Sequence, residues 1–328
     1  VTGVQTCALP ISKGLLQKFD IDEYQEELNL LKKQSVGLSH QSYNIDGHQW
    51  ALAIDAATQV SCFRKDLISS LPKSWNDLLN LSKQNKVLWP LKPVHAISSF
   101  YSIYNNITEE FNPEDKNFIN KEFGIKSLEM MKNISAYLIS DCFVMDPINT
   151  AEILSSDDDF YYSPYTYGFS NYSRENYRAN ILTYGNVLNL SNKGPHGTHL
   201  GGTGIAISNK SNHKDLALEY SYWIAGADCQ QSLFYNSGGQ PGNSIAWENQ
   251  QINNECNSFF NNTRLTLNQA WVRPRHNGYM KFQDESGNII NEYLQSNTNE
   301  SIIIDKLKKM YAERDRKSTR LNSSHLLI

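Results

Sequence analysis

The residues of this chain that could do chemistry are few and do not assemble into a reaction centre. Asp55, Asp157, Asp158, Asp159 and Glu175 are carboxylates of the kind that flank a glycosidic bond in hydrolysis, yet nothing in their spacing fixes a pair. His196 and His199 have room to share a metal, but no carboxylate or cysteine completes a ligand set, and both read as loop histidines. The glycine-rich run Gly197 to Thr203 lacks the lysine that would reach a phosphate. No G-x-S-x-G elbow and no distinctive Cys/His arrangement occurs. No catalytic residue, metal or cofactor is therefore assigned. Binding chemistry is better represented. Tyr161, Tyr162, Tyr165, Tyr167, Phe169, Tyr172 and Tyr177 crowd into one polar, proline-broken stretch with Ser, Asn and Arg interleaved. A tyrosine ring offers an apolar face and a hydroxyl rim, which matches the C–H face and hydroxyls of a sugar. Such mixed surfaces line small-molecule sites, so Tyr165, Tyr167, Asn171 and Tyr172 are candidate ligand contacts.

The elements that must position these groups alternate between helix and strand. Asp20 to Lys33 places Leu28, Leu30 and Leu31 among charges and reads as a surface helix. Asp46-Gly47 is a hairpin turn signal. Gln49 to Phe63 reads as two short strands interrupted at Asp55. Ser74 is placed to cap a helix, with Asp77 in the capping-box position. Phe123 to Ser140, Asp215 to Trp223 and Ser301 to Tyr311 carry helical periodicity. Helices alternating with strands predict an α/β sheet architecture. Trp50 and Trp75 read as packing residues.

Both ends read as foreign to this pattern. VTGVQTCALPI at residues 1 to 11 and DRKSTRLNSSH at 315 to 325 back-translate to a common sequencing adapter on opposite strands. We therefore expect residues 1–12 and 315–328 to be artefact, with the native chain running from about Lys13 to Arg314. The C-terminal tail carries a net +2, so the chain's −4 becomes −6 without it. That balance argues against a nucleic-acid surface, which would cluster Lys and Arg over one face. No run of 18 apolar residues is present. Cys62, Cys142, Cys229 and Cys256 show no metal spacing, and Cys229 with Cys256 could pair in an oxidising compartment.

Three ordered motifs resemble the bacterial extracellular solute-binding proteins of the maltose-binding type. Asp46 to Asp55, then Phe63-Arg64-Lys65-Asp66-Leu67, then Leu71-Pro72-Lys73-Ser74-Trp75-Asn76-Asp77-Leu78 follow the family's first pattern, with Ala53 where proline is usual and Phe63-Arg64 in place of Tyr-Asn. Leu200 to Ser208 followed by Lys214 to Trp223 and Gln230 is similar to its glycine-led strand and the helix after it, and Gly238-Gly239-Gln240-Pro241-Gly242 is similar to the turn that follows. The resemblance implies a two-lobed fold of the periplasmic-binding-protein kind, type II, shortened at its N-terminus. On this mapping 13–56 plus 203–268 form an incomplete lobe 1, and 57–202 plus 269–314 form lobe 2. It further implies a sugar or sugar derivative held between the lobes by Asp55, Thr58 and Gln59 at the first crossing, and by Gly201 and Gly202 at the second, where missing side chains would admit a ligand to the backbone. Trp271 and Arg273 stand at the third crossing. The implied partners are permease subunits of an ABC importer, with a monomer outside the cytoplasmic membrane, periplasmic or extracellular and in some members lipid-anchored. A carbohydrate-active hydrolase and a ligand-sensing module are the alternatives.

Overall fold

In a computed structural model of the chain, residues 10–11, 13–108, 119–275 and 278–324 are described, with side chains through 313. The adapter-like residues 1–9, 12 and 325–328 thus lie outside the described residues.

The central strand is β4 (Ala57–Phe63), buried along almost its whole length. Such a strand must be covered on both faces, and its side chains alternate accordingly. Val60 and Cys62 join one apolar cluster, with Tyr184, Trp247 and Phe260, while Phe63 joins another, with Trp89, Phe100 and Phe282. Three strands pair with β4, all antiparallel: β5 (Tyr162–Tyr167), β6 (Thr183–Gly185) and β7 (Leu200–Gly201). The β4–β5 register steps from Val60↔Thr166 to Cys62↔Ser163, so Pro164 and Tyr165 oppose the single residue Ser61. Proline has no N–H to give a ladder, and a bulge is where a strand tolerates it.

Two helices preceding β5 follow from local rules. In α2 (Trp75–Ser82) the Ser74 hydroxyl accepts from the Asp77 amide at 3.2 Å, and the Asp77 carboxylate accepts from the Ser74 amide at 3.0 Å, completing the expected capping box. Helix α3 (Pro93–Ile107) starts on a proline, which suits a first helical position. Every residue of α3 from Ala96 to Asn106 is buried. Its polar residues survive there because they are bonded: Ser99 and Ser102 hold the Gln59 side chain at 3.1 and 2.6 Å. Helices α4 (Lys121–Ser135) and α5 (Pro147–Leu154) follow, and the chain ends in α11 (Tyr279–Leu294) and α12 (Glu300–Ser324), with α11 lying along α3.

A smaller body is built on the remaining strands. A hairpin joins β1 (Asn44–Ile45) to β2 (His48–Gln49) through Asp46 and Gly47, both at positive φ (53° and 80°), the geometry of the two-residue turn that Asp-Gly favours. Strands β3 (Leu52–Ala53) and β8 (Gly204–Ile205) pair antiparallel. Their apolar side packs Phe19, Leu28, Leu52, Ile207, Leu218 and Tyr222 with α1 (Gln25–Lys33) and α6 (Lys214–Ala225). After α6 come α7 (Ala227–Cys229), which continues as a π-helical stretch over Gln230–Phe234, then α8 (Ser244–Glu248), α9 (Gln250–Glu255) and α10 (Phe259–Asn268). Helix α10 packs on β4 and β6, adding Phe259 and Phe260 to the second face of the larger sheet. Cys229 and Cys256 are both free, buried thiols. Among the described residues no helix is long and apolar enough to cross a membrane.

Candidate functional site

Two passages of the chain between the two bodies meet, and the site grows there. The first is Ile54 to Ala56, between β3 and β4; the second is Gly202-Thr203, between β7 and β8. They are laced together: the Ile54 and Asp55 amides donate to the Thr203 carbonyl at 3.0 and 3.1 Å, and the Thr203 amide donates back to the Asp55 carbonyl at 3.3 Å. Gly202, at φ +112°, is required for this approach, because a Cβ there would run into the Asp55 carbonyl oxygen and lie 3.1 Å from Ala56 Cα. The segment after α10 is joined on by the Trp271 amide donating to the Thr198 carbonyl at 3.0 Å and the Leu200 amide donating to the Trp271 carbonyl at 2.8 Å.

Asp55 keeps some accessible surface while its carboxyl is enclosed by protein. Burial pushes that carboxyl up to about 7, and no charged neighbour moves it. None of the described residues donates a hydrogen bond to it, so its lone pairs remain open to a ligand hydroxyl. Tyr167 at the end of β5 is half-buried and its ring lies against Gly201 at the end of β7, where a Cβ would meet Tyr167 Cε1 at 2.8 Å. Around this ring sit two histidines, His95 from α3 and His199 just before β7, with centroids 6.2 and 5.9 Å away. Trp271 lies edge-on to His199 at 5.8 Å, and its indole N–H donates to the Gly197 carbonyl at 2.9 Å. His199 Nε2 is 3.3 Å from Ser98 Oγ. The Nδ1 atoms of His95 and His199 are buried without a partner. Burial holds His95 down to about 4 and His199 well below the usual imidazole range, the Arg273 charge adding to the latter. Both rings are therefore neutral at pH 7. Burial pushes the Tyr167 hydroxyl up to about 12, opposed by Arg273 and a contact with Ser98.

Several expected contacts lie elsewhere. Thr58 is buried, its hydroxyl donating to the His199 carbonyl at 2.9 Å and lying 2.7 Å from the Thr198 hydroxyl, so it is used in tying β4 to β7. Gln59 is 0% exposed, its amide consumed by Ser99 and Ser102. Tyr165 is also 0% exposed and packs against Trp89 at 5.7 Å. It shares the strand face of Tyr167 but sits one repeat further into the core. Tyr172 is on the opposite side of the sheet with Cys142 and Leu154, its hydroxyl donating to Glu152 at 2.5 Å. Asn171 donates to the Gly238 carbonyl at 3.0 Å, which docks the Gly-Gly-Gln-Pro turn beside β5. Gln240 of that turn completes the docking, accepting from the Ser170 amide at 3.0 Å and donating to the Ala56 carbonyl at 3.1 Å. The space in front of Gly201 and Gly202 is filled by Tyr167 and the Asp55 backbone, so these glycines serve packing rather than ligand access. Asp55, Tyr167, Trp271 and Arg273 are the expected residues that the fold brings to the passages. His95, Ser98 and His199 were not expected there; His95 and Ser98 are three residues apart, one helical face, which is the only signal they left. Among the described residues no group of three His, Cys, Asp or Glu is arranged to hold a metal.

The chain matches the family model described as "bacterial extracellular solute-binding protein" over residues 4–255. No curated protein matches it in sequence. Among solved structures it is similar to maltose-bound MalE3 of T. maritima, with a TM-score of 0.80 and 13% identity, covering 94% of this chain and 82% of that one. It is similar also to the ABC transporter solute-binding protein of Agrobacterium radiobacter in complex with ribitol (TM-score 0.76, 16% identity, 95% and 83% covered). A third is the maltose-binding periplasmic protein MalE of Listeria monocytogenes in complex with maltose (TM-score 0.75, 14% identity, 96% and 83% covered). The two-lobed α/β fold expected from the motifs is the fold of these structures.

Proposed function

Because the chain belongs to the bacterial extracellular solute-binding proteins, a family of binding proteins rather than enzymes, we propose that it captures a carbohydrate or polyol between its two bodies for an ABC importer. The observation that carries this reading is the Asp55 carboxylate, enclosed at the first passage with no protein donor, beside a second passage covered by the Tyr167 ring. A sugar needs both parts. The ring takes its C–H face, and a carboxylate accepts from one or two hydroxyls more strongly than a neutral oxygen does. The half-buried Trp271 and the neutral imidazole of His95 extend the apolar and polar lining, with His199 packed behind them. Since the passages join the two bodies, a ligand touching both would favour their closed arrangement, which is how differential contact becomes capture.

The lobe division 13–56 plus 203–268 and 57–202 plus 269–314 belongs to this reading, as do permease subunits as the partner, a monomeric state and a place outside the cytoplasmic membrane with or without a lipid anchor. The packing of α10 on β4 and β6 supports assigning that helix to the larger body instead.

A panel of neutral sugars and polyols that includes maltose and ribitol tests it by thermal shift. A ligand at one hundred times its Kd adds about 2.7 kcal/mol, which for a chain of this size raises Tm by roughly 4 °C. Tyr167→Ala and Asp55→Asn should each weaken binding at least tenfold. Turnover of a glycoside by the wild-type protein, or undiminished binding in both variants, would refute the reading.

A further inference from the structure

Arg273 is the one arginine between Arg64 and Arg275 whose charge the described residues leave largely unmet. Arg64, Arg178 and Arg264 each grip a carboxylate, at 2.6 Å from Asp66, Glu152 and Glu248 respectively. Arg174 lies 3.9 Å over the Tyr235 ring and donates to that residue's carbonyl at 2.8 Å, and Arg275 donates to the Ser42 and Asn44 carbonyls at 2.7 and 3.1 Å. Arg273 makes one hydrogen bond, from Nη1 to the side-chain oxygen of Gln283 at 3.0 Å, and enters no ion pair among the described residues. It is nonetheless half-buried. Its surroundings are neutral: its charge is felt by Tyr167, His199 and Tyr279, none of them ionised at pH 7. It is not felt by Asp55, whose carboxyl responds to burial alone.

A guanidinium taken partly out of water costs free energy that an opposite charge ordinarily offsets. Its fork of N–H groups fits a planar carboxylate or a phosphoryl group with two parallel hydrogen bonds. Here one N–H is anchored by a neutral amide, which fixes the fork's direction without using its charge. The site thus holds an open acceptor at Asp55 and, near the Tyr167 ring, an unmatched cation at Arg273. We infer that the ligand is an anionic sugar, its acid group held by Arg273 while its hydroxyls face Asp55 and its ring lies on Tyr167. This rests on the capture reading and narrows it.

The experiment compares matched neutral and acidic sugars on the wild-type protein by calorimetry: glucose with glucuronate and with glucose 6-phosphate, galactose with galacturonate, and maltose and ribitol as neutral references. The inference expects at least one acidic member to bind tenfold or more tighter than its neutral counterpart. The uronate and phosphate arms tell a carboxylate ligand from a phosphoryl one. In Arg273→Gln that preference should collapse toward unity, while Arg273→Lys, keeping charge but losing the fork, should retain part of it. Salt should weaken the acidic sugar and leave the neutral one unchanged. Equal or tighter binding of the neutral members overturns the inference and leaves sugar capture standing. Binding by none of these sugars, neutral or acidic, overturns both. Because the neutral-to-acidic comparison is made on the wild-type chain, an unfolded variant would not remove the test.

Discussion

Replacing Gly202 by alanine isolates the cost of holding the two passages together. The residue sits at φ +112°, where an L side chain is strained by about 1 to 2 kcal/mol. The added Cβ would also press on the Asp55 carbonyl oxygen and come within 3.1 Å of Ala56 Cα, both backbone atoms that no side-chain rotation can relieve. The passages must then separate. The reciprocal bonds between Asp55 and Thr203, at 3.1 and 3.3 Å, are the first to lengthen, and two lost backbone bonds remove about 2 kcal/mol more. The total is about 3 to 4 kcal/mol. Gly47 provides the control, since it too has positive φ (+80°) but a Cβ there would meet nothing within 4 Å. Gly47→Ala should therefore cost only the strain, about 1 to 2 kcal/mol. Urea unfolding of the three proteins, with equal slopes, measures the difference directly. A gap of about 2 kcal/mol between the two variants is expected. If Gly202→Ala proved no less stable than Gly47→Ala within about 0.5 kcal/mol, the close packing of the passages would not be what the glycine is for.

Other outcomes follow from single contacts. Tyr165→Phe removes a buried hydroxyl that has no partner, so calorimetric stability should stay unchanged or rise by up to about 1 kcal/mol with ligand affinity untouched. Gln59→Leu removes two buried side-chain hydrogen bonds but leaves Ser99 bonded to Trp89 Nε1 and Ser102 to the Ser98 carbonyl, so it should cost about 1 kcal/mol in urea unfolding. For pH, Asp55 is raised by burial to about 7, so it binds its proton more tightly folded than unfolded and its contribution is lost as pH rises from about 4 to 7. His40 and His95, held down by burial to about 4, act oppositely: the unfolded imidazoles protonate first, and their contribution is lost as pH falls from about 6.5 towards 4. Asp55→Asn should accordingly gain on the wild type as pH is raised from 5 to 8 in denaturant titrations; a constant offset across that range would contradict the enclosed carboxyl.

The most local features were legible in the sequence because short-range chemistry decides them. Asp46-Gly47 makes its hairpin turn, Ser74 with Asp77 makes its capping box, and Asp55 interrupts the strand run at a passage between the bodies. Helix α3 left no such trace. It is buried on all sides, so it carries no polar stripe, and its serines and asparagines look like surface until Gln59, His196 and Gly197 are seen to bond them. The Tyr-rich stretch is continuous in sequence, whereas the bulge at Pro164 and the two faces of β5 and its following turn distribute it. Tyr165 goes to one core, Tyr172 to another, and Tyr167 to the passages.

By itself the sequence determined the family and the alternation of helix and strand, together with the ordered turn and strand motifs around Asp55, because each is written in consecutive residues. Only the tertiary structure decided which polar groups remain unspent. A hydroxyl or amide is available to a ligand when no other part of the chain bonds it. Thr58 and Gln59 were claimed by partners 140 and 40 residues away, while the carboxylate of Asp55 and most of the Arg273 fork were not.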